Sequence, residues 1–384
     1  MTPGPGPSAT RTRPAPPVTG RRLSAAAEIG AGITAGLVWG LAFLMPVLLG
    51  GWNPVIVTIG RYLAYGLVSA ALFTLGGQGM RALAHQHWRP ALAFAIAGNA
   101  GYYLLLVTAL RAAGAPLTDM VIGAIPVVVA VAGNWVSPAY RWRQLVLPLA
   151  LVTAGLALVS TLEIAGVHAY QPGPANQKIA GLLAACGAVM LWTWYALTNA
   201  RFLAAHHAIS PAHWSTVVGL ATGAVTLAGL PLAAVTGQLT APATGSPGTG
   251  QLIAAMAILG VIVSWAGTWL WNLASRQLSP ALAGLLVNVE TVAGFAYVYA
   301  AKPQWPPAGQ LTGLALVIAG VAIAVRRQPP ADTSRSRDEP SPNPPNPGDP
   351  NRHHRSGSSA HLLPGPPPPQ GRRRVGVSRK RITG

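Results

Sequence analysis

The chain has 384 residues, of which 51% are hydrophobic and only 9% charged, whereas an average soluble domain carries about 25% charged residues. Its formal net charge of +18 does not point to nucleic acid. The basic residues crowd into two tails and otherwise punctuate apolar runs, as membrane topology signals do. A single cysteine, Cys186, excludes an intramolecular disulfide, a thiol pair and a cysteine-based metal cluster.

Residues 1–28 are rich in Pro, Thr and Arg and read as a disordered tail. The apolar stretch that follows is too long for a signal-peptide core and lacks a small-residue cleavage site, so it reads as a retained first span. A helix needs roughly 20 apolar residues to cross a bilayer core. Segments near that length fall at 29–50, 54–76, 90–111, 115–136, 143–161, 179–200, 212–236, 251–274, 279–300 and 308–325. The fold class is therefore an all-α membrane protein with ten transmembrane helices. Residues 162–178 form a loop between the fifth and sixth spans. From residue 328 to 384 the chain is dominated by Pro, Ser, Asn, Gly and Arg and has almost nothing apolar to bury, so it reads as a disordered basic tail. Such a tail binds anionic lipid headgroups or is simply a solvated extension.

Lys and Arg near span ends stay in the cytoplasm. With the N-terminus inside, the inner segments hold Arg11, Arg13, Arg21, Arg22, Arg81, Arg89, Arg141, Arg143, Arg201, Arg276, Arg326 and Arg327. The outer loops hold only Arg111, Lys178 and Lys302. The predicted location is the cytoplasmic membrane, with both termini cytoplasmic.

The second half repeats features of the first in the same order. Leu151-Val-Thr-Ala-Gly-Leu-Ala-Leu158 lies over Leu316-Val-Ile-Ala-Gly-Val-Ala-Ile323 at an offset of 165 residues. At an offset of 164, Pro116 and Pro280 each open the fourth helix of their half, while Trp39 and Trp192 occupy similar places in the first. Five spans per copy is an odd number, so the second copy enters the membrane in the opposite sense. The reading is two inverted five-helix repeats, 29–161 and 179–327, with a solute site near the midplane between them.

Trp39-Gly40, Trp192, Pro54 followed by Arg61, Ala115-Pro116, Pro126 and Leu285-Leu-Val-Asn-Val-Glu290 together resemble the EamA-type branch of the drug/metabolite transporter superfamily, over residues 29 to 327. The resemblance implies a ten-helix carrier working by alternating access, with efflux as its direction. The chain departs from the pattern with Thr291 after the Glu, and with His213-Trp214 near the start of the seventh helix. The resemblance therefore names neither the solute nor the coupling ion.

Only Asp119 and Glu290 are acids inside the expected spans. A charge at the bilayer centre costs about 2.5 to 3.5 kcal/mol. Glu290 lies about eleven residues from either end of its helix, roughly 16 Å deep. It is the expected site of proton coupling or cation recognition, with a structural, hydrogen-bonded Glu as the alternative. Asp119 follows Pro116 closely and suits the positive end of a helix dipole. Arg61 snorkels or satisfies carbonyls between helices, with contact to the solute as the alternative.

Trp52, Trp88, Trp135, Trp142, Trp214 and Trp305 lie at span ends and read as interfacial belt residues. Trp192, Tyr195 and Asn199 share one face of the sixth helix, Trp265, Trp269 and Asn272 one face of the eighth, and Asn99 and Tyr103 lie one turn apart on the third. With Trp39, these are the expected substrate-binding residues: an aromatic cavity in which amides orient an apolar or cationic solute. Ordinary helix packing is the competing explanation. Gly32, Gly36 and Gly40, four apart, read as a close-packing seam.

No Walker-type phosphate loop, zinc-protease motif or nucleophile elbow is present. The pairs His85, His87 and His206, His207 read as solvated loop residues, and no metal or cofactor is expected. The partners expected are a small-molecule solute and the lipid bilayer, not nucleic acid. The rival readings are a membrane-embedded enzyme, which needs a polar cluster near one interface that the sequence lacks, and a non-transporting scaffold acting through its tail.

Overall fold

The computed structural model describes residues 24–166, 174–301 and 305–328, so the expectations for the basic C-terminal tail and for most of the N-terminal tail and of the loop between the fifth and sixth spans concern residues outside the described ones, while residues 25–28, expected in the N-terminal tail, are helical. The described residues contain no strand. They contain ten helices long and apolar enough to cross a membrane: α1 (Ala25–Leu44), α2 (Pro54–Leu75), α3 (Gly77–Ala113), α4 (Leu117–Val136), α5 (Trp142–Leu162), α6 (Ala175–Ala205), α7 (Pro211–Val235), α8 (Thr249–Ser275), α9 (Pro280–Ala300) and α10 (Ala308–Arg326). The ten-span reading holds.

Local chemistry sets the helix starts. The Ser24 side chain accepts from the Ala27 N–H at 3.3 Å, Asn53 accepts from Val55 N–H at 2.9 Å, and Ser279 accepts from Leu282 N–H at 3.3 Å. Each satisfies a donor that the first turn leaves orphaned. Pro54, Pro211 and Pro280 follow at the first helical position, where a missing N–H costs nothing. Because α1 begins at Ala25, Glu28 lies inside it and is 6% exposed. That adds a third acid to the two expected within spans.

The other departure is in length. The third span, expected at 90–111, begins at Gly77 and runs 37 residues. His87 breaks it with φ −120° and ψ 24°, ahead of Pro90. The segment before the break is amphipathic: Met80, Leu83 and Ala84 pack inward while Arg81, His85 and Gln86 are exposed. It reads as an interfacial helix running into the span proper.

The helices pair closely, α5 with α10, α2 with α7, α4 with α9, α3 with α6, and α1 with both α8 and α9. Small residues make this possible, since lipid offers no hydrophobic drive and backbones must approach to gain dispersion contacts. A Cβ on Gly155 would stand 2.8 Å from a Val317 methyl and 2.5 Å from the Gly313 carbonyl oxygen. One on Gly320 would stand 2.8 Å from a Val152 methyl. Gly155 with Gly320 and Val152 with Val317 are the matched positions of the two similar octapeptides. Gly66 and Gly223 meet backbone to backbone in the same way between α2 and α7.

Candidate functional site

Four helices are irregular near their middles. α3 carries a π-helical turn at Ile96–Ala100 and α8 one at Leu259–Ala266. α4 opens into a turn at Gly123 and Ala124, and α9 breaks at Val287. Irregular backbone at membrane depth survives only where protein or a water-filled cavity surrounds it, and π-turns are frequent at functional sites.

The break in α9 adds to the expectation. Glu290 lies near the middle of the span Pro280–Ala300 and also in the first turn of the half-helix Asn288–Ala300, at the positive end of its dipole. Its N–H bonds to the Val287 carbonyl at 2.9 Å. The glycine seam of α1 holds this turn. A Cβ at Gly36 would lie 3.0 Å from Glu290 N, and one at Gly40 3.1 Å from Glu290 O and 2.7 Å from Ala293 Cβ. The seam expected from the sequence is therefore present, and it seats the candidate coupling residue.

Arg61 reaches this region from α2. Its Nε donates to Ser264 Oγ in the α8 π-turn at 2.8 Å, and its guanidinium lies 5.5 Å from the Tyr62 ring centre. Glu290 is within electrostatic reach of Arg61, and Tyr102 is within reach of Glu290, Arg61, Tyr62 and Asp119. Asp119 itself is exposed on α4. The interior of the bundle thus contains a cation, an acid and two tyrosines around the irregular helices.

An aromatic chain borders it. Trp39 lies 5.4 Å from Trp271, Trp271 6.3 Å from Trp192, and Trp192 6.2 Å from Tyr195. Tyr102, like Trp39 and Trp192, packs against the same core. Sequence reading singled out Trp39, Trp192 and Tyr195 but missed Trp271 and Tyr102. Trp271 is the ring that joins α1 to α6. It is 2% exposed, and its indole N–H finds no acceptor among the described residues.

The amides and the remaining aromatics are otherwise engaged. Asn199 Nδ2 donates to Asn272 Oδ1 at 2.8 Å, Trp214 Nε1 donates to Asn199 Oδ1 at 2.8 Å, and all three residues are buried. Asn199 and Asn272 clamp α6 to α8 rather than facing open space. Trp214, expected in the interfacial belt, is fully buried and stacks on Phe202 at 4.4 Å. Trp88, Trp135, Trp142 and Trp305 are exposed, as belt residues are. Asn99 donates to Thr222 of α7, while the Tyr103 hydroxyl donates to the Pro54 carbonyl and its ring meets Tyr62 edge-on. The π-turn interrupts the helical period there, so the face could not be extrapolated past it. Trp265 donates to Thr216 and lies 5.9 Å from Trp269.

The histidine expectation is corrected in part. His85 and His207 are exposed, but the half-buried rings of His87 and His206 meet at 5.0 Å, and His206 stacks on Phe202 at 4.4 Å. They belong to helix packing between α3 and the end of α6, not to solvated loops.

No family model matches the chain. It is 25% identical over 293 residues to the aromatic amino acid exporter YddG of Ancylobacter novellus, covering 76% of this chain and 95% of that one. A protein of known crystal structure, 22% identical, superposes with a TM-score of 0.62 over 78% of this chain and 97% of its own, which shows a shared fold. The inner membrane protein YtfF of Escherichia coli K12 is 34% identical over 314 residues, 80% of this chain and 97% of YtfF. Ten apolar spans and that degree of identity across nearly the whole relative lead to one assignment: the chain is a multi-pass membrane protein and belongs to the family of inner membrane protein YtfF.

Proposed function

We propose that the chain is a secondary active transporter, an exporter of aromatic amino acids or similar small solutes, acting by alternating access and catalysing no reaction. The observation that carries this is the grouping of Arg61, Glu290 and Tyr102 with Trp39, Trp192 and Trp271 where α3, α8 and α9 lose regular geometry. A guanidinium suits a carboxylate, an acid suits an ammonium, and indoles suit an aromatic ring or a cation. With its Nε held by Ser264, Arg61 keeps its two terminal nitrogens for a solute carboxylate. The name of one relative, an aromatic amino acid exporter, supports the solute class.

Two inverted repeats supply the motion. Exchanging the halves maps the α5–α10, α2–α7 and α4–α9 pairs onto themselves and the α3–α6 pair onto α8–α1. The interruptions at Gly123 and Val287 are separated by the same 164 residues as Pro116 and Pro280. This is what supports an EamA-type carrier of the drug/metabolite transporter superfamily rather than a scaffold, with both termini in the cytoplasm. Glu290 carries the coupling proton or recognises the solute cation. Trp39, Trp192, Tyr195 and Trp269 line the path, with Asn99, Tyr103 and Trp265 supporting it. Asn199 and Asn272 hold the helices around it.

The test is flux of labelled tryptophan, phenylalanine and a mixed metabolite panel in proteoliposomes, with and without an imposed pH gradient, for wild type and Glu290→Gln. Gradient-driven flux of an aromatic amino acid, lost in Glu290→Gln protein that still folds, is the expected result. Flux with an unchanged gradient dependence in the variant removes the coupling role, and no flux of any solute returns the scaffold reading.

A further inference from the structure

A groove of about 540 Å³ opens on the outer surface between α3 and α6. Its walls are Pro90, Ala93, Phe94, Trp194 and Phe202, and Thr198, Arg89 and Arg201 complete the lining. Phe94 is 2% exposed and forms the floor, whereas Trp194 is 46% exposed and forms a rim. Both arginines are exposed. Arg89 leans on the exposed Trp88 ring at 5.3 Å, and neither arginine has a hydrogen-bond or ion-pair partner among the described residues.

The depth of this groove follows from the chain. Gly77–Ala113 is 37 residues long, about 55 Å at 1.5 Å per residue, far more than the roughly 30 Å of a hydrocarbon core. The amphipathic segment before the break at His87 takes up the excess at the interface, so Arg89 and Pro90 sit where the span enters lipid. Arg201 lies at the same level, one turn before α6 ends at Ala205. An apolar trough below two unpartnered guanidiniums, at headgroup height, has the form of a lipid site rather than a solute site. The surrounding sequence agrees, since all eight acidic residues of the chain lie outside the segments 76–90 and 195–210, leaving nothing local to neutralise the pair.

We propose that this groove holds one anionic phospholipid, its phosphate between Arg89 and Arg201 and an acyl chain along Phe94, Trp194 and Phe202. A zwitterionic lipid brings its own cation to the two guanidiniums and fits less well. The site also has a structural outlet. Phe94 touches Tyr195 at 5.8 Å and Trp214 at 6.0 Å, so the groove floor is the back of the wall that anchors Asn199. A bound lipid therefore stiffens the α3–α6 contact on which the aromatic chain rests.

The experiment titrates the purified, delipidated full chain in detergent with phosphatidylglycerol or with phosphatidylcholine of the same acyl chains. Bound lipid is counted by native mass spectrometry, and thermal unfolding is followed in parallel. Wild type is expected to retain one phosphatidylglycerol in preference to phosphatidylcholine and to unfold at a higher temperature with it. R89Q/R201Q is expected to lose roughly tenfold or more in apparent affinity, since each basic residue near an anionic headgroup is worth roughly fivefold. R141Q/R143Q, two exposed arginines outside the groove, carries the same basic tail and is expected to bind as wild type does.

Equal retention of the two lipids by wild type overturns the proposal without any variant. So does equal loss in both double variants, which assigns the binding to net charge or the tail. Displacement of the lipid by millimolar glycerol phosphate also overturns it, because the site then recognises a free phosphate. Should R89Q/R201Q fold poorly, the single variants R89Q and R201Q take its place, and retention of phosphatidylglycerol by both as by wild type overturns the proposal.

Discussion

The α5–α10 pair and the interior around α9 solve the same problem in opposite ways. In the first, two helices approach closely along Gly155, Gly313 and Gly320, with valine methyls against the glycines. In the second, helices break or widen and Arg61, Glu290 and the tyrosines gather. The first arrangement gains chiefly from dispersion. The second keeps polar groups inside the bundle, which the proposed carrier needs and a seal does not. On the proposed function, stability and transport rest on separate parts of one bundle.

That separation can be broken at several points. The largest effect is expected from Gly155→Val. The added Cβ meets the Gly313 carbonyl at 2.5 Å, and overpacking of this kind costs about 3 kcal/mol. Thermal unfolding in detergent should fall steeply, and Gly320→Val should do the same because its contact is the reciprocal one. If Gly155→Val unfolds like wild type, the pair is not a seal.

Trp214→Phe keeps the ring stack on Phe202 but leaves Asn199 Oδ1 without its indole donor, at a cost of about 1–2 kcal/mol. The same melts would show this, and a neutral result would mean that water replaces the donor. Arg61→Gln sharpens the comparison from the other side. Its loss of stability should stay within about 2 kcal/mol, since one part-buried hydrogen bond to Ser264 and the guanidinium's contact with the Tyr62 ring disappear, while aromatic amino acid flux in proteoliposomes collapses. Large destabilisation with normal flux would place Arg61 with the seal instead. The smallest effect belongs to Gly229→Ala on α7, where a Cβ meets nothing within 4 Å. Melting should stay within about 0.5 kcal/mol of wild type.

The seal was the part most legible in the sequence. Spans follow from hydropathy, and glycines spaced four apart or matched between octapeptides mark where backbones touch. The interior was legible only in residue type. Glu290, Arg61 and Trp39 stand out as charges and indoles in apolar runs, but whether a ring faces a neighbour depends on helix rotation. The π-turns in α3 and α8 reset that rotation without a sequence signature. So Tyr102 was passed over for Tyr103, and Trp214 was assigned to the interface for lying near a span end. Asn199 and Asn272, correctly placed on the inner faces of α6 and α8, turned out to face each other. The start of α3 was missed because its hydropathy is that of a loop, and amphipathicity alone keeps Gly77–His87 helical.

One fastening has a consequence for how the protein is made. The Gly- and Pro-rich stretch from 236 to 250 has the composition of a loose linker, yet Asn53 donates to the Gln238 carbonyl and to Thr240, Ala243 N–H bonds to the Gly51 carbonyl, and Trp52 donates to the Pro247 carbonyl. Its partners at 51–53 leave the ribosome some 185 to 195 residues earlier, roughly 10 to 40 s before it at ordinary elongation rates. For that interval the α1–α2 turn is threaded into the bilayer with its polar groups facing water. That end of the bundle closes only after α7 has been inserted, so the first five spans wait for the second half before one of their own loops is finished.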